Sequence, residues 1–412
     1  TRPGHAPRGV PAVTRPDQSA GSATSPGHHL YAVDLVRVLT FACVIAVHTV
    51  ATVNPADSVP AGGAEMLLHF TREAFFALTA FVLVHRYRDR LSVRPFWRRR
   101  FLLIGAPYVI WTGIYSGLAL IATPLPPSAA VIQLGRNLLT GTACYHLYFL
   151  IVTMQFYLLF PAFRWLLQVT QQGRRRQHWL LAGGAVLQVG INAGLHAAHP
   201  SGIAEQLWQY DGSFVGSYVF YLLVGGVAAM HADQAQAWVR AHPVTVVVAL
   251  LFTGAAAEGW FLWSVRGGVP VPTACDVFQV VMVPWCLAVL TALFALGGAW
   301  AARRRAGLGS RAIQISSDRS FGVFLVHPML LWAWMLGPAG WLSSRLPALW
   351  STILAFVAVV SVSLVTVELL RRSPLSLVLT GKRHTRTDKS VHSGRSEPSV
   401  PAEPIRLGAG RM

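Results

Sequence analysis

Ten stretches of this chain, roughly 33–53, 65–85, 101–122, 146–169, 179–198, 213–231, 243–264, 277–300, 320–338 and 348–370, are apolar. Each is about as long as the ~20 residues a helix needs to cross the hydrocarbon core of a bilayer. No other feature constrains the fold as much. In lipid every backbone N–H and C=O must be satisfied within the protein, which leaves helices or closed barrels. The segments lack the polar–apolar alternation of barrel strands. The expected fold class is therefore an all-α integral membrane protein with about ten transmembrane helices. Composition agrees: 12% of the 412 residues are charged, against about a quarter in soluble domains.

The net charge of +18 suits a nucleic-acid binder only until the charges are located. Of the 34 Lys and Arg, 29 fall in alternate connections, seven of them in "RYRDRLSVRPFWRRR". Only Arg136, Arg266 and Arg345 lie in connections of the other set, while Arg37 and Arg72 lie within segments. By the positive-inside rule the basic side and both termini are cytoplasmic, as an even number of spans requires. Several tryptophans, among them Trp97, Trp165 and Trp350, sit near segment ends like an aromatic belt. The bilayer is thus the expected surrounding partner, and no nucleic acid is expected. Residues 31–380 form the expected membrane domain. The Pro-, Gly- and Ser-rich stretch 1–30 lacks a signal-peptide core and is expected to be a disordered cytoplasmic tail. The basic stretch 381–412 is expected to be another, drawn to lipid.

Of the four cysteines, Cys43 and Cys286 lie inside apolar segments. Cys144 and Cys275 lie near segment ends on the predicted outer side, where a disulfide and two free thiols are both compatible with the sequence. No C-x-x-C or metal spacing is present, so no metal is expected.

The first segment contains "DLVRVLTFACVIAVHTV", Asp34 to Val50, with an arginine and a histidine eleven residues apart. On a helix that spacing is about 20° past three full turns and about 16 Å along the axis, so Arg37 and His48 share a face. Ionisable side chains within a membrane helix are costly unless they face protein or water, which makes the pair a functional candidate. The structural alternatives are an Arg37 snorkelling to lipid phosphate and a His48 bonded to a backbone carbonyl.

Arg-x10-His resembles the first-helix signature of the bacterial membrane-bound acyltransferases called acyltransferase family 3. "REAFFALTAFVL" (Arg72 to Leu83), "FWRRRFLLIGAPYVIW" (Phe96 to Trp111), "YHLYFLIVTMQFYLLFP" (Tyr145 to Pro161) and "SFGVFLVHPML" (Ser320 to Leu330) are similar to later helices of that family, in the same order. The similarity spans about residues 30–380 and looks closest to polysaccharide-modifying members. Two departures stand out. Arg100 is followed three residues later by Leu103 where many members have Arg-x-x-Arg, and Thr79-Ala80 replaces Ser-Gly.

The resemblance implies a cytoplasmic acyl-CoA donor, acetyl-CoA in the first instance, and a hydroxyl acceptor on a glycan or glycosylated small molecule. Arg37, Arg98, Arg99 and Arg100 at the inner interface suit the donor phosphates, because guanidinium groups bind phosphate through forked, charge-assisted bonds. His48 is the expected catalytic base or acyl acceptor. Glu73, at similar predicted depth, is its expected orienting carboxylate; pairing with Arg72 is the alternative. His146 is expected to contact the acceptor or the thioester oxygen, a plain interfacial histidine being the alternative, with Tyr148 and Gln155 weaker candidates for substrate contact. His327, placed in the inner half of the ninth segment, is expected to fill the hydrogen-bond ladder broken by Pro328. Asp34 and Glu368 are expected to pair with arginines such as Arg37 or Arg371. The rival function is a polysaccharide exporter or flippase, which shares the polar cavity but needs no phosphate site.

The charge asymmetry yields a direct test. In a background without the native cysteines, single cysteines at 55–63 and 200–211 should react with an impermeant maleimide added to intact cells. Those at 88–98 should react only after permeabilisation. Labelling of 88–98 in intact cells overturns the orientation.

Overall fold

Prolines and glycines punctuate the apolar segments and set where each helix begins, bends and stops. The computed structural model describes residues 31–197, 201–202, 205 and 208–382. The expected tails, 1–30 and all of 381–412 except Gly381 and Lys382, lie outside the described residues. The first helix, α1, runs Tyr31–Val53. Next comes α2 (Val59–Leu68), capped by Ser58, whose Oγ accepts from the Ala61 amide. α3 is Thr71–Arg86 and α4 is Val93–Ala122. α5, Pro127–Thr140, starts on Pro127 and stops at Gly141, whose φ of 77° is in the left-handed region that glycine tolerates. α6 is Tyr148–Gln171 and α7 is Arg174–Ala197. Two 3₁₀ turns, Asp211–Ser213 and Val215–Tyr218, lead into α8 (Val219–Met230). Then follow α9 (Ala232–Ala241), α10 (Pro243–Arg266), α11 (Met282–Arg303), α12 (Leu308–Leu336), α13 (Ala348–Arg371) and the short α14 (Ser376–Thr380). No strand occurs among the described residues.

Each of the ten predicted segments contains helix among its described residues, as the predicted all-α membrane fold requires. Among the described residues eight helices are long and apolar enough to cross a membrane, the α2–α3 pair counting as one. A ninth is added only if α8 and α9, bent by 94°, are one span. The fifth predicted segment, within α7, falls short because it carries polar residues with structural work. Gln188 donates to Asn192 Oδ1 at 3.0 Å and to the Ser217 carbonyl at 2.8 Å, and Asn192 donates to the Gln279 carbonyl at 3.3 Å.

α1 lies in the middle of the bundle, against α2, α3, α11, α12 and α13. At its Arg37 end, ion pairs tie α12 to α13 and α14. Arg319 pairs with Glu368 at 2.5 Å, and Asp318 takes both Arg371 and Lys382. The Trp111 indole N–H donates to the Leu379 carbonyl at 3.0 Å, holding α14 against α4. A cavity of about 570 Å³ lies between α1, α3, α7, α8, α9 and α11, with walls such as Val36, Phe81, Leu181 and Phe294. Its lining is apolar, and none of the expected site residues contributes to it.

The closest backbone approach is between α3 and α8. A Cβ at Gly225 would sit 2.0 Å from the Ala77 carbonyl oxygen. Gly225→Ala should force the two helices apart and cost about 1–3 kcal/mol, the usual size for overpacking. Gly117→Ala, with nothing within 4 Å of the added atom, is the control. Thermal unfolding in detergent should show a lower midpoint for the first variant only; equal midpoints remove the packing argument.

Candidate active site

Three elements run past one another between two polar ends. α1 carries Arg37 and His48. The turn before α6 and α6 itself carry His146 and Tyr157, also eleven residues apart. α12 carries Asp318 and His327, nine apart. At 1.5 Å per residue these separations are about 13–16 Å. One end gathers His48, Tyr145, His146 and His327; the other gathers Arg37, Arg100, Tyr157 and Asp318. α6 faces α1 at both ends without packing closely along its length. Between the ends the rings of Phe41, Phe75, Phe149 and Phe324 meet, with centroids 4.4–6.0 Å apart.

At the first end the His48 ring lies 4.4 Å from Tyr145 and 5.5 Å from His327. His146 lies 5.5 Å from His327 and 4.9 Å from Phe324. His48 is half-buried and Tyr145 exposed, whereas His146 and His327 are buried. The accessible side of the cluster is therefore the His48–Tyr145 side. His327 Nδ1 lies 2.8 Å from the Phe324 carbonyl. A carbonyl only accepts, so Nδ1 carries the hydrogen. Phe324 O is the acceptor that Pro328, lacking an N–H, leaves free. The expected ladder-filling contact is thus present, and it sets neutral His327 with an unprotonated Nε2, which is buried without a partner. The expected position of His327 in the inner half needs correction. α12 begins at Leu308, well before the predicted 320, so His327 lies far along the helix, beside His48. Both nitrogens of His146 are also buried and unpartnered.

Next to this cluster Arg72 projects from α3. Its Nη1 donates to the Tyr148 hydroxyl at 3.1 Å, and its Cζ lies 5.0 Å from the Phe278 ring centroid. Tyr148 therefore meets Arg72, a contact the sequence does not disclose because the two residues lie 76 positions apart. Glu73 is buried but does not reach His48 as expected. His48 makes no hydrogen bond to it, and its polar surroundings are Arg72, Tyr218, Tyr221, Cys286 and Asp276. The reason is helical geometry: successive residues diverge by about 100°, so when Arg72 faces Tyr148, Glu73 turns toward α8 and α11. Glu73 Oε2 has no hydrogen-bond partner. Gln155 is structural, its amide donating to the Ser213 carbonyl at 2.7 Å and accepting from the Val215 N–H at 2.9 Å.

At the other end Arg37 and Arg100 come together, both interacting with Tyr157. The Arg100 Cζ lies 5.6 Å from the Tyr157 ring centroid, and its Nε is buried and unpartnered. Arg98 and Arg99 do not join them. They point from the exposed side of α4, since three consecutive helical residues cannot share a face. The expected pairing of Glu368 with arginines is present, though with Arg319 and Arg372, and Asp34 and Asp318 act on Arg37 through space without an ion pair to it. Asp34 accepts from Ser317 Oγ at 2.8 Å, Asp318 holds Arg371 and Lys382, and Glu368 binds Arg319 and Arg372. Two guanidinium groups are thus left facing each other without an ion pair to a described residue, which is what an anion site requires.

All four cysteines are free thiols, and burial pushes Cys144 and Cys275 up to about 12. Neither provides a thiolate nucleophile near neutral pH. Among the described residues no group of His, Cys, Asp or Glu is arranged to hold a metal ion.

These features define a multi-pass, all-helical membrane protein with a histidine cluster and an arginine pair at opposite ends of one helix face. The chain belongs to acyltransferase family 3, whose acyltransferase-domain model matches residues 30–368. Acyl transfer is the activity that membership brings. No curated protein and no solved structure matches the chain.

Proposed function

We propose that the protein transfers an acyl group, acetyl in the simplest case, from cytoplasmic acyl-CoA to a hydroxyl of a glycan or glycosylated small molecule. What supports this most is the two-ended α1 face, with Arg37 beside Arg100 at one end and His48 beside His146 and His327 at the other. Coenzyme A has the same layout, with phosphates at one end and a thioester at the tip of a long arm. The arginines bind the phosphates through forked, charge-assisted hydrogen bonds. Between the two ends the arm would have to lie along the phenyl rings of Phe41, Phe75, Phe149 and Phe324, an apolar surface. Those rings also weigh against a sugar conduit, which needs a polar lining.

At the thioester, His48 acts as general base. The acceptor oxygen attacks the carbonyl carbon while His48 takes its proton. The carbon–sulfur bond then breaks, and the CoA thiolate leaves with that proton from the imidazolium. With no carboxylate bonded to His48, the bare Nε2 of His327 is the nearby acceptor able to steady the imidazolium N–H.

Arg37→Ala should weaken CoA binding by about 1.5–3 kcal/mol, the usual size for a hydrogen bond to a charged group. Arg37→Lys should recover only part of the loss, because the fork is gone. Calorimetry on purified protein giving unchanged affinity in both variants removes Arg37 from the donor site. His48→Ala should lower the rate by roughly 10²–10⁴, as for loss of a general base. It should still insert, fold and bind CoA. Near-normal transfer by this variant defeats the base assignment.

A further inference from the structure

We propose that Arg72 is an anion-binding subsite beside His48 that recognises a two-oxygen acidic group on the acceptor, a carboxylate or a phosphate. The substrates are then acidic glycans, such as uronic-acid or sugar-phosphate units, rather than neutral ones. This rests on the acyl-transfer function proposed above and specifies its acceptor.

The argument starts from how Arg72 is held. Tyr148 Oη fixes Nη1 at 3.1 Å. Around the guanidinium stand three rings, with Cζ 5.0 Å from the Phe278 centroid, 5.9 Å from Tyr148 and 6.0 Å from Tyr218. The Tyr218 hydroxyl donates to the Gly212 carbonyl at 2.9 Å. What remains is Nε and Nη2, both buried and without a hydrogen-bond partner. These two atoms form one edge of the guanidinium, with parallel N–H bonds spaced to meet both oxygens of a carboxylate or phosphate. Glu73 and Asp211 act on it through space, but no carboxylate of a described residue comes within ion-pair distance of it. Tyrosine and phenylalanine rings favour a cation but do not neutralise it. A desolvated cation in a membrane segment with no carboxylate in contact is costly and marks a place where a ligand can supply one.

Position selects the ligand. Arg72 interacts electrostatically with His48 and His69, at the end where His48 and Tyr145 are accessible. The side chain as a whole is only partly buried, although Nε and Nη2 themselves are shielded from solvent. The proposed donor-phosphate site, at Arg37, lies about 16 Å along α1 from His48 and so at the opposite end of that face. The anion at Arg72 therefore belongs to the acceptor and lies close to the hydroxyl being acylated. A hexuronate, with carboxylate and hydroxyls on one ring, meets that requirement, as does a sugar phosphate. The reaction's own oxyanion presents a single oxygen and leaves half of the fork unused.

The test measures equilibrium binding by the full-length protein in nanodiscs, using calorimetry with glucuronate, glucose 1-phosphate and glucose as probes. Wild type should bind at least one acidic probe tenfold or more tighter than glucose, and which one it is separates carboxylate from phosphate. Arg72→Gln should erase that preference while CoA affinity stays unchanged. Arg72→Lys, which keeps charge but loses the fork, should retain only part of it and serves if the Gln variant does not fold. No preference in wild type, or a preference that persists in Arg72→Gln, overturns the proposal. So does a fall in turnover by Arg72→Gln that is equal for acidic and neutral acceptors with binding unaltered, which assigns Arg72 to the oxyanion instead. Because binding involves no chemistry, His48→Ala should keep the preference, so failure of the base assignment leaves this result readable.

Discussion

An ionisable side chain within a membrane helix must be enclosed by protein or reach water, and α1 carries two of them on one face. The rest of the bundle follows from meeting that demand. Five helices surround α1, so neither Arg37 nor His48 needs to face lipid. Polar partners line up at the same two levels on α6 and α12 because those elements repeat nearly the same spacing as α1. The phenyl rings between the levels fill the only part of that face without polar residues.

A smaller constraint of the same kind orders the histidine cluster. Pro328 leaves the Phe324 carbonyl without its helical donor, and a buried carbonyl left bare in lipid is expensive. His327 satisfies it, and in doing so fixes which of its nitrogens bears the hydrogen. A backbone defect is thereby converted into a defined imidazole tautomer next to His48. The expectation that His327 was purely structural and the finding that it lines the site are two consequences of one hydrogen bond.

Much of this was legible in the sequence. The Arg37–His48 spacing survives intact, since periodicity along one helix needs no tertiary information. Relations between helices were harder to read. Matching Glu73 to His48 by depth ignored rotation about the helix axis, and rotation decides which helix a residue faces. The run Arg98 to Arg100 looked like one cluster, yet adjacent helical residues diverge, and only Arg100 turns toward Arg37. Arg72 was visible only as an isolated charge, because its cage of Tyr148, Tyr218 and Phe278 comes from three distant segments. The buried Gln188 and Asn192 of α7 hold the carbonyls of Ser217 and Gln279, contacts that hydropathy cannot reveal.

The two ends share an electrostatic shortfall. At one, Asp34 and Asp318 act on Arg37 through space, but no described carboxylate forms an ion pair with Arg37 or Arg100, Asp318 holding Arg371 and Lys382. At the other, Arg72 has no carboxylate of a described residue within ion-pair distance. Each deficit costs stability in the empty protein, since a desolvated cation is poorly served by rings and hydroxyls alone. A ligand that brings the missing anion recovers that cost and stabilises the folded state in proportion to its occupancy. Neutral molecules of the same shape recover nothing, so the deficit itself discriminates between partners. Selectivity of this kind needs no moving part: it follows from arginines fixed by their neighbours with donors left unpaired, Arg72 near the His48 end of α1 and Arg100 near the Arg37 end.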